Sequence, residues 1–373
     1  MTAVLHIING EHYAGAERVQ DLLALRLPEH GFEVAFACLK PGRFPEARRA
    51  KDAPLHALAM RGRWDLRPAW QIARLVRQCG YRLIHAHTPR TLMIGRLAGA
   101  LSGVPTVYHV HSPTSRDTTR RWTNRVNSCI ERWSLTGVAQ MIAVSESLRR
   151  HIEQAGFDPR RLRVVHNGVP GLGPLAHRDR PRDVWTLGTV ALIRPRKGIE
   201  TLLEALAALR NEGLPVRLRA VGPFETPDYE TAVKDRAAEL GLLDAIDWVG
   251  FSSDVPGELA RMDLFVLPSL FGEGLPMVVL EAMAAGVPVV AGDVEGIPEA
   301  ITDGREGRIV PAGDHAALAE AIRQVIHGCP DWCAMRAQAW ARHAEQFSDG
   351  AMAAGVAAAY RDVLGDGVPR SGG

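Results

Sequence analysis

Residues Phe271–Ala291 read FGEGLPMVVLEAMAAGVPVVA and give the clearest indication of the fold. An apolar run that ends at Leu267 precedes them, which predicts a buried strand leading through Gly272 and Gly274 into an apolar helix. Glycine lets the backbone pass close to a ligand, and the free amides at a helix start favour an anion such as phosphate. The stretch therefore predicts a strand, an anion-binding turn and a helix of an open α/β sheet.

Two carboxylates flank this turn. Glu273 lies before the helix, and Glu281 lies eight residues further on, inside it. Carboxylates accept hydrogen bonds well from paired hydroxyls, such as those of a sugar or a ribose. In an arbitrary helix, however, the first acid is more often a capping residue and the second a solvated one. Both interpretations remain open on these residues alone.

Short apolar strands and longer amphipathic segments alternate on both sides of the turn. The strand candidates run from Val4–Ile8 to Leu162–His166 and then from Trp185–Leu192 to Gly307–Val310, and they include Leu83–Ala86, Val216–Val221 and Leu264–Leu267. Such alternation indicates parallel sheets that are covered on both faces. Glycines and prolines interrupt the pattern in 170–181, as in a linker. A chain of 373 residues with this pattern predicts two doubly wound α/β units.

We place the domain boundaries from the same pattern. An N-terminal Rossmann-like domain covers 1–175 and a C-terminal one covers 176–346, while a helix at 347–364 returns to the first domain and 365–373 forms a disordered tail. Ligands of open α/β sheets bind outside the carboxyl ends of the strands. We therefore expect the two domains to face each other across a central cleft. The fold alone does not decide the function, because many functions share it.

Composition is that of an ordinary globular enzyme, with 46% hydrophobic and 23% charged residues. No run of 18 apolar residues predicts a transmembrane helix, and the first residues do not resemble a signal peptide. The five cysteines are scattered along the chain: Cys38, Cys79, Cys129, Cys329 and Cys333. This spacing argues against a disulfide framework and against a zinc site formed by cysteines. We therefore expect a cytoplasmic protein, with peripheral contact at the inner face of the membrane as an extension of this location.

Charge is divided unevenly along the chain. Residues 1–180 contain 27 basic and 14 acidic residues, for a net charge of +13, whereas 181–373 contain 17 and 28, for −11. A basic half can attract an anionic acceptor or an anionic membrane, or simply solvate a surface. The segment Arg116–Trp133 combines five arginines with two tryptophans, which fits either a membrane surface or a helix with inward tryptophans. We predict no nucleic-acid partner.

The stretch EGLPMVVLEAMAAGVPVV closely resembles the donor-site signature of glycosyltransferase family 4, whose members have the GT-B fold. Further resemblances lie in Gly15–Arg18, His166–Val169 and the turn Glu295–Glu299, so that the likeness covers nearly the whole chain. The resemblance implies a retaining, metal-independent transfer of a sugar from a nucleotide diphosphate. It also implies that Glu273 contacts hydroxyls of the transferred sugar and that Glu281 binds the ribose. The predicted donor-binding residues are Gly15, Gly222, Gly274, Leu275, Pro276, Met277 and Glu281.

A basic cluster follows the first strand of the second half. Lys197 matches the family's phosphate-binding lysine, but Leu192 stands where the family usually has an arginine. A departing diphosphate needs about two positive charges when no metal is present. Arg194 or Arg196 can supply the second charge, and we favour Arg194. Apart from the resemblance, both arginines could equally be solvent-exposed side chains of a loop with no role in binding.

Histidines cluster near strand ends in the first half. His109 and His111 face the same side of a strand because side chains alternate. Histidines at such positions are usually satisfied core residues, which is our interpretation of His85 and His109. His111 ends its strand and matches the family histidine that contacts the transferred sugar. His87 is a weaker candidate for the acceptor side, and a zinc site formed by His85 and His87 is the alternative.

The predicted enzyme is thus a retaining hexosyl- or N-acetylhexosaminyl-transferase of family 4. Its predicted catalytic residues are Glu273, Lys197, Arg194 and His111. It needs no cofactor, its donor is a nucleotide sugar, with UDP favoured over GDP, and its acceptor is an anionic or lipid-linked glycan. A nucleotide-sugar 2-epimerase and a non-catalytic sugar-nucleotide-binding protein are the alternatives. A nicotinamide dehydrogenase is disfavoured because neither first strand precedes a Gly-x-Gly-x-x-Gly turn.

Overall fold

The computed structural model describes residues 1–13, 15–62, 65–112 and 137–365. The chain forms two compact units, one built from Met1–Gly168 with the segment that begins at Asp349, and one from Val169–Ser348. The boundaries lie at 168 and 348, close to the predicted 175 and 346. The segment Arg116–Trp133, for which a membrane surface and a helix with inward tryptophans are both open, and residues 366–373 of the predicted disordered tail lie outside the described residues.

The first unit contains a seven-stranded parallel sheet in the order β3-β2-β1-β4-β5-β6-β7. Its strands are β1 (Thr2–Ile8), β2 (Phe32–Cys38), β3 (Leu55–Ala57), β4 (Leu83–Ala86), β5 (Thr106–Val110), β6 (Gln140–Ala143) and β7 (Leu162–Val164). Its described helices are α1 (Gly15–Arg26), α2 (Phe44–Ala47), α3 (Arg67–Cys79), α4 (Pro89–Ser102) and α5 (Glu146–Gln154). The central strands are buried along nearly their whole length because helices cover both faces of the sheet.

The second unit contains a six-stranded parallel sheet in the order β10-β9-β8-β11-β12-β13. Its strands are β8 (Trp185–Val190), β9 (Val216–Val221), β10 (Ile246–Gly250), β11 (Leu264–Leu267), β12 (Val289–Gly292) and β13 (Gly307–Val310). Its helices are α6 (Ile199–Asn211), α7 (Pro227–Glu239), α8 (Val255–Leu259), α9 (Met277–Ala284), α10 (Ile297–Ala300), α11 (His315–Ile326) and α12 (Trp332–Gln346). Trp332 is buried in its core and packs edge-on against Trp185.

The last helix, α13 (Asp349–Leu364), belongs to the first unit. Its sequence is rich in alanine and glycine, so the helix can lie close to the sheet: a Cβ on Gly355 would come within 2.8 Å of Val165. The Arg26 guanidinium pairs with Asp349 at 2.8 Å. Tyr360 is fully buried, and its hydroxyl contacts two histidines of the sheet. Small residues and one buried tyrosine thus attach this helix to the first sheet.

Each sheet has one point at which the strand order reverses. In the first unit it lies between β1 and β4, and in the second between β8 and β11. Successive strands run outward from this point on either side, so the loops that follow the two central strands diverge and leave a crevice. Gly15 and His87 follow β1 and β4, while Lys197 and Glu273 follow β8 and β11. The topology therefore gathers most of the predicted site residues at the two reversal points.

Four strands match their predicted bounds: Leu83–Ala86, Val216–Val221, Leu264–Leu267 and Gly307–Val310. The sequence pattern did not predict β3. This strand is only three residues long, and its side chains are half-buried or exposed at the edge of the sheet, so it lacks the apolar run that marks the other strands. His111 was predicted to end β5, but the strand ends one residue earlier, at Val110.

Asp21 offers a test of how the first unit is held together. Its buried carboxylate accepts hydrogen bonds from the backbone amides of Arg49 and Ala50, at 2.7 and 2.9 Å, and from the Tyr13 hydroxyl at 2.6 Å. We expect Asp21→Asn to destabilise this unit by about 3 kcal/mol, because an amide NH₂ group would face buried donors. Hydrogen exchange should show faster opening of the first unit, unlike in the control Asp52→Asn, whose side chain is exposed. Unchanged exchange would show that these bonds contribute little.

Candidate functional site

The centre of the candidate site is a contact between Lys197 and Glu273. Lys197 ends a 3₁₀ turn, Pro195–Lys197, after β8, and Glu273 lies in the loop after β11, the neighbouring strand. The Lys197 ammonium donates to Oε1 of Glu273, and the Ser269 hydroxyl donates to the same oxygen at 2.7 Å. The two charged side chains are only 15% and 6% exposed. The structure therefore brings together two predicted catalytic residues that are 76 positions apart.

The backbone around Glu273 is held by two further side chains. The amide of Glu273 donates to a carboxylate oxygen of Glu295 at 2.9 Å. The Arg196 guanidinium donates to the carbonyls of Gly272 and Phe271, at 2.7 and 3.2 Å, and lies 4.0 Å from the Glu273 carboxylate. Glu295 has a φ of 36°, and no other non-glycine residue of the described ranges has a positive φ. A strained backbone of this kind persists only where its surroundings fix it, which is common at functional sites.

Two glycines allow the loops to approach one another. Gly198 has a φ of 65°, and a Cβ there would lie 2.2 Å from the carbonyl oxygen of Pro268. Gly222 has a φ of 122°, and its Cβ would lie 1.8 Å from the carbonyl oxygen of Ala191. A side chain at Gly198 would therefore push apart the loops that carry Lys197 and Glu273, and one at Gly222 would push the loop after β9 away from Ala191. Gly222 was predicted to bind the donor. The structure shows that it lets the loop after β9 pack against Ala191.

Burial lowers the pKa of the Lys197 ammonium, and the positive charges of Arg196 and Arg194 lower it further. Glu273 opposes these effects by its charge and its hydrogen bond. The carboxylate thus counteracts part of the fall in the pKa of the lysine. Lys197, Arg194 and Arg196 form a basic group on one loop, and the carboxylates of Glu273 and Glu225 lie against it.

The two candidate arginines lie in different surroundings. Arg196 bonds to the Glu273 turn, as described above. Arg194, the favoured candidate, lies 3.6 Å from the Glu225 carboxylate, and its side chain is 29% exposed. Leu192, at the position of the family arginine, is 44% exposed. The structure thus gives Arg196 direct contact with the turn, and the phosphate-binding role of Arg194 stays a prediction.

The predicted donor residues 274–277 lead into α9 and are buried. Pro276 occupies the N-cap position of this helix without a side-chain hydrogen bond to its first turn. Glu281 lies in the second turn and is half-buried, rather than solvated as in an ordinary surface helix.

In the first unit, Gly15 is exposed at the start of α1, and a Cβ there would meet no atom within 4 Å. Packing therefore does not require a glycine at this position.

Five histidines line one face of the first sheet at its reversal point: His6, His85, His87, His109 and His111. The Tyr360 hydroxyl bonds His6 at 2.8 Å and His85 at 2.6 Å, and His87 bonds His111 at 3.0 Å. His111 is half-buried and the other four are buried. Burial lowers the pKa of His6 to about 3 and that of His111 to about 4, so both rings are neutral at pH 7.

Two sets of these histidines have ligand atoms within 4.8 Å of one another: His6 with His85 and His87, and His87 with His109 and His111. The first set adds His6 to the zinc alternative that the sequence left open. Both sets consist of histidines alone, so a divalent ion would bring its charge into a buried site without a compensating carboxylate. Three neutral histidines are nevertheless a ligand set that zinc accepts, so the zinc alternative stays open and the absence of a metal stays a prediction.

Sequence reasoning missed Ser269 and gave Arg196 second place. Ser269 lies only four residues before Glu273, but no pattern marks a serine in a loop as the partner of a carboxylate. The turn Glu295–Glu299 was noted for its family resemblance, yet nothing in the sequence showed that the Glu295 side chain holds the Glu273 amide. These contacts depend on loops that meet only in the folded sheet.

Comparison with known proteins identifies the class. Two family models match the chain, Glycosyltransferase Family 4 over residues 13–170 and Glycosyl transferases group 1 over residues 182–328. A D-inositol 3-phosphate glycosyltransferase of Streptomyces scabiei is 32% identical over 313 residues, which cover 77% of this chain and 69% of that protein. A lipopolysaccharide core biosynthesis mannosyltransferase of Rhizobium meliloti is 34% identical over 184 residues, or 48% and 52% of the two chains. The matches thus span between about half and two thirds of these relatives.

The fold has close counterparts among solved structures. The crystal structure of Anabaena Alr3699/HepE in complex with UDP and glucose superimposes with a TM-score of 0.82 at 23% identity, covering 97% of this chain and all of that one. The chain belongs to the family 4 glycosyltransferases. Its two doubly wound units have the GT-B fold, which confirms the predicted fold class. Within the described ranges, none of the helices combines the length and the hydropathy that a membrane span requires.

The Lys197–Glu273 contact predicts a change in the pKa of the lysine. In Glu273→Gln the amine loses the carboxylate that raises its pKa, while burial and the neighbouring arginines still lower it. We therefore expect the pKa of Lys197 to fall below its value in the unsubstituted protein. The measurement is NMR titration of ¹³C-methylated lysines, with Lys197→Arg to assign the signal. An unchanged pKa would show that the two groups are not coupled.

Proposed function

We propose that this glycosyltransferase moves a sugar from a nucleotide diphosphate to an acceptor hydroxyl with retention of the anomeric configuration. The observation that carries the proposal is the buried contact of Lys197 with Glu273 at the reversal point of the second sheet. Ligands of doubly wound sheets bind at this point. A cation and a hydroxyl-binding carboxylate side by side match the two parts of the donor, its diphosphate and its sugar.

The diphosphate would be bound by the basic group. Lys197 carries one charge, and Arg196 and Arg194 lie close enough to affect its pKa. The first amides of α9 add partial positive charge next to Glu273. Because charge develops on the leaving diphosphate in the transition state, these groups would stabilise the transition state more than the bound donor.

The sugar would be bound by Glu273. Its carboxylate already accepts two hydrogen bonds, from Lys197 and Ser269, at one oxygen. Hydroxyls of the sugar would take up further acceptor positions of this carboxylate, which has about four lone-pair sites. Because Glu273 would bind the sugar hydroxyls, the retaining reaction would not use its carboxylate as a nucleophile. The leaving phosphate would instead take the proton of the acceptor hydroxyl on the face from which it departs.

A UDP-sugar is the favoured donor, and a glycan or lipid-linked saccharide is the favoured acceptor. UDP and glucose accompany the structurally similar Anabaena protein. The curated relatives include an enzyme that glycosylates D-inositol 3-phosphate and a mannosyltransferase of lipopolysaccharide core biosynthesis. The net charge of +13 on residues 1–180 fits an anionic acceptor, at the inner face of the membrane if the acceptor is a lipid. The product would then serve a cell-surface polysaccharide or glycolipid.

The direct test of this function is Glu273→Ala. Loss of the carboxylate removes the contact with the sugar and leaves the Lys197 charge buried without its partner. We expect kcat/KM for sugar transfer to fall by a factor of about 10² to 10³. The matched control is Glu239→Ala, an exposed glutamate of the same unit, which should leave turnover unchanged.

Product analysis separates the transferase from its alternatives. Unchanged turnover in Glu273→Ala would remove Glu273 from the mechanism. Epimerised nucleotide sugar from donor alone would contradict transfer and support the epimerase. A protein that binds the donor but yields neither product would be a non-catalytic binding protein.

A thermal-shift screen over UDP-, GDP- and ADP-sugars should identify the donor. A ligand at about 100 times its dissociation constant stabilises the folded protein by about 2.7 kcal/mol. We expect UDP-sugars to give the largest shift and Glu273→Ala to reduce it. A larger shift with GDP-sugars would contradict the favoured nucleotide.

A further inference from the structure

His87 is held rigidly at the reversal point of the first sheet. It follows β4 directly, and the next residue, Thr88, is the N-cap of α4. The His87 amide donates to the Thr91 hydroxyl at 3.0 Å, within a reciprocal capping arrangement of Thr88 and Thr91. The His87 side chain is 2% exposed. Both its backbone and its ring are therefore fixed by the fold.

The ring of His87 points at the ring of His111. Nδ1 of His87 lies 3.0 Å from Nε2 of His111. The ring centroids are 5.3 Å apart and the planes differ by 14°, so the hydrogen bond runs nearly in the plane of both rings. His109 packs against His111 with a centroid distance of 4.6 Å and a plane angle of 23°. One neighbour thus bonds the edge of the His111 ring and another covers its face.

The burial of His87 decides which nitrogen donates. Its other nitrogen, Nε2, is buried and has no hydrogen-bond partner among the described residues. Leaving a buried N–H unpaired is rarer in proteins than leaving an acceptor unpaired. A proton on Nδ1 of neutral His87 would let this N–H donate to Nε2 of His111 and would leave only an acceptor, Nε2 of His87, unpaired. A neutral His111 that accepts at Nε2 must carry its own proton on Nδ1.

We propose that His87 is a positioning residue that fixes His111 in the Nδ1–H tautomer, so that His111 offers a hydrogen-bond donor to an oxygen of the bound substrate. The role toward substrate rests on the proposed function, whereas the tautomer does not. Since burial lowers the pKa of His111 to about 4, the ring is neutral at pH 7 and its tautomer determines what it can bind.

A tetrahedral metal ion would hold these two nitrogens slightly further apart. Zinc binds histidine nitrogen at about 2.0–2.1 Å, so two ligands at the tetrahedral angle lie about 3.3 Å from each other. The observed 3.0 Å fits a direct hydrogen bond.

The tautomer can be observed directly. In protein with ¹⁵N-labelled histidine at pH 7, long-range ¹H–¹⁵N spectra distinguish protonated from unprotonated ring nitrogens, and His111→Ala assigns the signals. We expect a protonated Nδ1 and an unprotonated Nε2 on His111. A proton on Nε2 of His111 would overturn the proposal. This readout needs no substrate, so it stands even if the chain catalyses a different reaction.

Variants of His87 test the positioning role. In His87→Asn the side-chain amide reaches the place of Nδ1 and can still donate, whereas His87→Leu keeps the volume without a donor. We expect His87→Leu to give a mixture of His111 tautomers and a fall in kcat/KM of about tenfold, with most of both effects restored in His87→Asn. If the leucine variant does not fold, the asparagine variant and the unsubstituted protein still decide the question. Equal activity and one unchanged tautomer in His87→Leu would contradict the role.

The control is Tyr360→Phe. It removes the hydroxyl that bonds His6 and His85 in the same histidine cluster but leaves the His87–His111 bond untouched. The His111 signals should therefore stay as in the unsubstituted protein. A changed His111 tautomer in this variant would show that the whole cluster, rather than His87, determines the proton position.

Discussion

The second unit is organised around one buried ion pair, Lys197 with Glu273. Taking two charges out of water costs several kcal/mol per ion, and this cost is recovered only when the partners meet with good geometry. The loops after β8 and β11 must therefore stay in contact. Gly198 permits their close approach, and Arg196 fixes the carbonyls that precede Glu273. Removing either charge would leave the other buried without a partner. The same ion pair therefore contributes both to the stability of the second unit and to the chemistry of the site.

The sequence predicts the inner strands of the sheets more accurately than it predicts the edge strand β3. Leu264–Leu267 is buried along its whole length and is a continuous apolar run, whereas Val216–Val221 alternates apolar residues with two arginines; both patterns predict a strand, and both strands match their predicted bounds. The edge strand Leu55–Ala57 lacks such a run because part of it faces water. The reversal of strand order is not a property of any single segment. It follows from which strands pair, and thus only the folded structure shows that Lys197 and Glu273 face each other.

Motifs in the sequence indicate the candidate site residues, but they do not indicate the contacts of these residues. Glu273 and Lys197 stand in local patterns that can be read in isolation. The choice between Arg194 and Arg196 depends instead on the path of a loop, which directs one guanidinium to Glu225 and the other to Gly272. The bond between His87 and His111 depends on the register of two strands and on one helix cap. Patterns in the sequence therefore identify the chemical groups, and topology determines their partners.

The two reversal points differ in the charge of their side chains, which are ionised in the second unit and neutral in the first. In the second unit the point carries charged groups: burial, Arg196 and Arg194 lower the pKa of Lys197, and Glu273 raises it. In the first unit it carries imidazoles that burial keeps neutral, and neighbouring histidines lower one another's pKa further. A neutral ring offers one donor and one acceptor, so it can select a hydroxyl by geometry but cannot stabilise a diphosphate by charge. Under the proposed function, the charged groups of the second unit would stabilise the leaving diphosphate, whereas the neutral imidazoles of the first unit would offer oriented hydrogen bonds.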